Sequence, residues 1–215
     1  SGYGARRIGR PRLNYRQLLS SESFYNFLPL PDGRIWPGIY HPSDVLNPRS
    51  GRFEPAPWKS ALPDVAPYNL LIARDSTWWM VGYRDNRLVL IKKDARTTHW
   101  QYFPLQIIHR DYVPLQLLED KSGNIWISGN DGQLFRFLPD ADAIEYWNLC
   151  PYLAGQDQSS EIRSNCLLEI PGNCLWLGTN RGIVQILNYT GKPVFKNPNL
   201  NNRIGQEAED RKSVV

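Results

Sequence analysis

Between Leu117 and Phe137 the chain reads LLEDKSGNIWISGNDGQLFRF: an apolar pair, a polar turn, a strand-favouring triplet, a second polar turn and an alternating tail. Leu117 and Leu118 close a short apolar run, residues 120–124 are turn-forming, and 125–127 favour a strand. Residues 128–132 make a second turn, after which Leu134, Phe135 and Phe137, interrupted by Arg136, predict a third strand. The pattern is that of an antiparallel meander, and such a sheet cannot bury both its faces alone.

The same pattern recurs. Aligned on Trp36, Trp79, Trp126 and Trp176, the copies stand at intervals of 43, 47 and 50 residues. Eight places before each tryptophan stands Leu28, Leu71, Leu118 or Leu168, preceded by Phe27, Leu70, Leu117 or Leu167. Ile35, Trp78, Ile125 or Leu175 comes immediately before each tryptophan, and Gly38, Gly82, Gly129 or Gly178 follows two or three places after it. A further strand is expected in each copy, in GRFEPAPW, RTTHWQYF, AIEYWNL and GKPVFKN. Units of this length with four short strands predict an all-β protein, a β-propeller of four recognisable four-stranded blades. AEDRK at residues 208–212 repeats the opening LEDKS and marks the start of a fifth.

The division expected is therefore a basic arm or the end of a preceding blade over 1–22, four blades over 23–202, and the first strand of a further blade over 203–215. Closure has two readings. Either the blades belong to a longer array, the reading favoured here, or the N-terminal arm supplies outer strands to the last blade and closes a small ring.

Composition agrees with a rigid β core, since 41% of residues are hydrophobic and eight Trp and 11 Tyr stand against a single Met. The net charge of +4 is modest and partly local, with Arg6, Arg7, Arg10, Arg12 and Arg16 in an arm free of acids. Only Tyr15 is interleaved there, so no nucleic-acid binding is expected. No apolar run is long enough to span a membrane, and no membrane contact by this segment is expected. The three cysteines include Cys166 and Cys174 on the two strands of one predicted hairpin; a cross-strand bridge and unpaired core thiols are both open.

In a propeller the recurring tryptophans are structural, so Trp36, Trp79, Trp126 and Trp176 are assigned to the blade core. Function is sought instead in the variable turns. The turns between second and third strands and the segments entering the first strands open on one face. They gather Tyr83, Arg84, Asp85, Arg110, Tyr112, Asn130, Asp131, Arg163, Asn180 and Arg181. This mixture of rings and hydrogen-bonding groups suits a sugar or another polyhydroxylated ligand, with Tyr83, Arg84 and Asp85 the leading local group.

Catalysis is not expected. EDKSGNIW only superficially resembles the aspartate box of sialidases, because Asp120 precedes Gly123 by three residues where the box requires two. His41, His99 and His109 fall on different blades without a metal-binding spacing, which disfavours a lyase-like metal-assisted site. DADAIE lacks the glycine and later ligands of a calcium loop and is expected to be a turn. No cofactor and no metal ligand set is expected.

LLEDKSGNIWISGNDGQLFRF and LLEIPGNCLWLGTNRGIVQI resemble the two-component regulator propeller repeat; LPDGRIWPG and ARDSTWWMVGYRDNRLVLI match it in part, and NRIGQEAEDRK opens another copy. The resemblance implies a segment of a seven-bladed propeller in the extracytoplasmic sensor of a hybrid histidine kinase. It implies a glycan fragment as ligand, further blades and a kinase module in a parent chain, a periplasmic or extracellular location, and dimerisation in signalling. A plain protein-interaction scaffold is the competing reading.

Overall fold

The computed structural model describes residues 27–38, 44–97, 99–106, 114–153 and 162–198. They form four antiparallel sheets of four strands, each strand hydrogen-bonded to its neighbour in sequence. Blade 1 comprises β1 (Leu28–Pro29), β2 (Ile35–Trp36), β3 (Asp44–Asn47) and β4 (Arg52–Pro55). Blade 2 comprises β5 (Val65–Ile72), β6 (Trp78–Arg84), β7 (Arg87–Lys93) and β8 (Gln101–Pro104). β9 (Pro114–Glu119), β10 (Ile125–Gly129), β11 (Gln133–Leu138) and β12 (Ala143–Asn148) make blade 3. β13 (Ser164–Ile170), β14 (Cys174–Thr179), β15 (Gly182–Leu187) and β16 (Val194–Lys196) make blade 4.

The eight-residue spacing between leucine and tryptophan is a cross-strand pair. Leu28 lies opposite Trp36, Leu71 opposite Trp79, Leu118 opposite Trp126 and Leu168 opposite Trp176. The intervening turn has the same backbone bonds in three blades: Leu30, Ala73 and Asp120 each donate to the residue four places on and accept from the residue three places on. One residue at the start of this turn therefore holds an equivalent position in every blade: Leu30, Ala73, Asp120 and Ile170.

Alternation along the strands sends successive side chains to opposite faces, and the faces that meet a neighbouring blade are buried. Trp36 and Val45 of blade 1 share a core with Leu70, Met80, Val89 and Ile91 of blade 2. Trp79, Val81, Leu88 and Leu90 of blade 2 meet Ile125, Ile127, Phe135 and Phe137 of blade 3. Trp126 and Leu134 of blade 3 meet Leu175, Leu177, Val184 and Ile186 of blade 4. Each of these three tryptophans points at the following blade and is at most 2% exposed. Trp176 points the same way from blade 4 and is half-buried, beside Leu168 at 58% exposure.

The position before each tryptophan turn decides what its indole can do. Asp120 accepts the indole N–H of Trp126 at 2.8 Å. Leu30 and Ile170 offer no acceptor, and the buried indole nitrogens of Trp36 and Trp176 are without a partner.

Two glycines after the tryptophans permit close strand approach. A Cβ on Gly82 would lie 2.3 Å from the carbonyl oxygen of Ala66 and 2.8 Å from the Cα of Pro67, at the bulge in β5. Both are backbone atoms, so Gly82→Ala must push the strands apart. It is expected to destabilise the protein by about 1–3 kcal/mol, read from the midpoint of urea unfolding. On Gly178 a Cβ would meet the Sγ of Cys166 at 2.7 Å.

The same ladder decides between the two readings left open for Cys166 and Cys174. Cys166 lies opposite Gly178, whereas Cys174 lies opposite Ile170 at the far end of the same ladder. Four residues of strand separate the two positions by roughly 13 Å, beyond the roughly 7 Å that a disulfide tolerates between Cα atoms. All three cysteines are free thiols. The DADAIE segment runs from the β11–β12 turn, where Asp142 adopts φ of 47°, into β12. No helix among the described residues is long and apolar enough to cross a membrane.

Candidate functional site

The β6–β7, β10–β11 and β14–β15 turns stand at the same end of their blades as the starts of the inner strands. Val65 pairs with Arg84, Pro114 with Gly129, and Ser164 with Thr179. Positive φ at Asp85 (50°) and Asn86 (59°) closes the β6–β7 turn, the conformation of a two-residue hairpin whose twist matches the strands. Asp131 and Gly132, at 72° and 75°, do the same for β10–β11.

The candidates fall into two groups. On blade 2, Tyr83 is half-buried at the edge of the seam with blade 3 and meets Tyr68 edge-on, with centroids 5.8 Å apart. Arg84 places its guanidinium 4.4 Å from the ring centre of Tyr102 on β8. Asp85 is exposed at the tip. Arg110 and Tyr112 lie outside the described residues, as do His41, His109, the basic arm and residues 199–215.

The second group is assembled from blades 3 and 4. Asn130 forms a β-bridge with Arg163, and the Asp131 amide donates to Ile162 at 2.6 Å. The Arg163 amide donates to the Asn180 side chain at 2.8 Å, while Asn180 N–H donates to the Arg163 carbonyl at 3.1 Å. Arg181 is oriented by Thr179, whose Oγ1 accepts the Arg181 amide at 3.0 Å and donates to the Gly182 carbonyl at 2.9 Å. Next to it, Gln116 bridges the inner strands of the two blades by donating to the Asn165 carbonyl at 3.1 Å. Asn130, Asp131, Arg163, Asn180 and Arg181, up to 51 positions apart, thus share one seam.

Three neighbours escape a reading of the turns alone. Gln133 donates to Asp131 Oδ2 at 2.6 Å and holds that carboxylate in place. The Cys150 thiol donates to the Asp131 carbonyl at 3.5 Å. Tyr146 on β12 is 38% exposed, with its ring 5.3 Å from Phe135. The register pairing of Phe135 with Tyr146 is what folds the outer strand back to the rim, and no sequence spacing reports it.

Two titratable groups of this cluster are held in their neutral forms. Burial, then the nearby Asp131 charge, pushes the Cys150 thiol up from its ordinary value, so at neutral pH it is a thiol and a poor nucleophile. Burial, Asp131 and Cys150 likewise raise the Tyr146 phenol, which stays protonated and able to donate. Among the described residues no three His, Cys, Asp or Glu side chains converge in a metal-holding arrangement. The exposed His99 has its carbonyl within 3.4 Å of the Thr97 hydroxyl.

With this geometry established, comparison with solved structures gives the fold its name. The chain is similar to a streptogramin B lyase, with a TM-score of 0.54 and 21% identity over 81% of this chain and 55% of that one. It is also similar to two structures of one extracellular domain from B. thetaiotaomicron, described in one as a putative hybrid two component system and in the other as a putative one component system. Both give a TM-score of 0.56, at 18% and 17% identity, over 85% and 86% of this chain and 23% of the other. The architecture is that of a β-propeller. The chain spans about half the length of the lyase and about a quarter of the extracellular domain. No family model matches the sequence, and no curated protein does.

Proposed function

We propose that this propeller segment senses a ligand, without catalysis, for an extracytoplasmic two-component sensor, and that a glycan fragment is recognised at the rim shared by blades 3 and 4. The observation that carries the proposal is the convergence of Asn130, Asp131, Arg163, Asn180 and Arg181 from two blades beside the exposed Tyr146 ring. Paired carboxylate, amide and guanidinium groups next to an aromatic ring suit a hydroxylated ligand of mixed polarity. The resemblance of the repeats to two-component regulator propellers, and the likeness of fold to an extracellular domain of such a system, support the same reading.

The partners in this reading are the remaining blades of a larger, seven-bladed ring and a kinase module in a parent chain, placed in the periplasm or outside the cell. A further blade, opened by residues 203–215, would cover the half-exposed Trp176 face, because the equivalent faces of blades 1, 2 and 3 are each covered by the next blade. Binding would change blade packing or the geometry of a dimer, and so shift a pre-existing equilibrium in the kinase.

The test is calorimetric titration of a panel of neutral and acidic oligosaccharides against the wild-type chain and the Asp131→Ala and Arg181→Ala variants. One oligosaccharide class is expected to bind saturably, and each variant to weaken it by at least about tenfold, the loss of one charge-assisted hydrogen bond. Absence of saturable binding across the panel would sink the glycan reading and favour the protein-interaction scaffold.

A further inference from the structure

The seam between blades 2 and 3 holds a cavity of about 290 Å³ at the end of the molecule opposite the rim, lined by the turn after β5, the turn after β9 and the turn after β11. The neighbouring seam shows what the fold can place there. Strand register makes Trp79 equivalent to Trp126, Lys92 to Arg136, Glu119 to Glu169 and Asp140 to Tyr189. Arg74 and Lys121 correspond likewise, each following the first residue of its turn.

In the seam between blades 3 and 4, Tyr189 fills this position completely, with no exposed surface. Its ring meets Trp126 edge-on, with centroids 6.3 Å apart, and lies 5.5 Å from the Lys121 ammonium. Its hydroxyl donates to Glu169. In the seam between blades 2 and 3 the tryptophan, the cation and the carboxylate of that cradle are kept and the ring is not. Trp79, Arg74, Lys92 and Glu119 line the cavity, with Asp140 in place of the tyrosine.

We propose that this cavity is a binding site for a para-substituted phenol, whose ring takes the place that Tyr189 occupies one seam further on. Trp79 supplies the aromatic wall. Arg74 supplies the cation above the ring; it is already positioned by a 3.2 Å ion pair between its Nε and Glu119. Glu119 also accepts the Arg74 amide at 2.8 Å, and a carboxylate with about four lone-pair positions retains room for a phenol O–H. Ala73 stands where Asp120 holds the Trp126 indole, and Asp75, the carboxylate of the blade 2 turn, also lines the cavity and accepts the Thr77 amide at 2.8 Å. The volume, at the small end of ligand pockets, suits one ring. A free phenol and a tyrosyl side chain of a partner peptide share this chemistry. The site is separate from the rim, so its fate does not depend on the glycan proposal.

The test follows the indole N–H resonance of Trp79 in the full ¹⁵N-labelled chain, assigned through Trp79→Phe. Titrants are p-cresol, toluene and a blocked Gly-Tyr-Gly peptide. p-Cresol is expected to shift the resonance saturably, with half-effect on the order of 1 mM, and toluene to act at least about fivefold more weakly for want of the hydroxyl. Asp140→Tyr, which supplies the ring from within, is expected to abolish the p-cresol response while raising the melting temperature. A response to p-cresol alone assigns the site to small phenols, and a response to the peptide as well assigns it to a tyrosine-bearing partner. No saturable shift, an equal response to toluene, or an undiminished response in Asp140→Tyr would overturn the proposal.

Discussion

Asp120→Ala is expected to cost about 3–5 kcal/mol of stability, lowering the urea midpoint and quenching the near-ultraviolet signal of Trp126. The side chain is fully buried and accepts four hydrogen bonds. Oδ1 takes the amides of Ser122 at 2.8 Å and Asn124 at 3.0 Å, and Oδ2 takes the Asn124 side chain at 2.9 Å and the Trp126 indole at 2.8 Å. Three of the four donors, the Asn124 amide and side chain and the Trp126 indole, are left buried if the carboxylate goes. Asp120→Asn is expected to recover less than half of the loss, because whichever way the amide lies, its NH₂ faces two donors. Blade 2, with Ala73 at the same place, bounds the effect: there Asp75 takes over part of the task, accepting the Thr77 amide at 2.8 Å. A folded but weakened protein is therefore the expected state, and an unchanged midpoint would mean that water replaces the carboxylate without penalty.

Arg136→Ala is the second large effect, again about 3–5 kcal/mol. This arginine is 3% exposed and pairs with Glu145 in its own blade. It crosses the seam to donate to the carbonyls of Tyr189 and Gly191, the latter at 2.9 Å. Its guanidinium lies 5.3 Å from the Trp126 ring and 5.5 Å from the Trp147 ring, beside a tryptophan pair stacked 22° from parallel. Truncation leaves the buried Tyr189 carbonyl without this donor, removes the tie to the more exposed Gly191, and frees the wall against which Tyr189 packs. Amide exchange should show blade 4 opening at lower free energy than blades 2 and 3 in this variant. Arg136→Lys is expected to restore little, since an ammonium cannot span Glu145 and both carbonyls. Equal protection of all blades in Arg136→Ala would show that the apolar core of the seam suffices.

The repeat was legible because its signal is local. Leucine and tryptophan eight places apart pair across one hairpin, and the four copies announce the strands and their faces. The polar wiring of the seams was not legible, for a physical reason. Arg136 reaches Tyr189 across 53 positions, and whether Asp140 or Tyr189 fills the equivalent place changes nothing in the hydrophobic pattern of either strand. The rim was read halfway. Asn130, Asp131, Arg163, Asn180 and Arg181 stand in the turns that the pattern predicts. Tyr146 and Tyr102 come to their neighbours through outer-strand pairing, which a list of turns omits. Cys166 and Cys174 share a hairpin in sequence, yet register keeps them apart.

The fixed pairing of leucine with tryptophan also says how such a chain can grow. Repeat lengths of 43, 47 and 50 residues differ while the inner hairpin never changes span, so every added residue lies outside that hairpin, in the other turns of the blade or in the connection to the next. The inner hairpins act as a gauge that holds the pitch of the ring, and the outer connections are free to lengthen, shorten or be exchanged without resetting it. New surface can be acquired at the periphery of one blade while its neighbours keep their alignment.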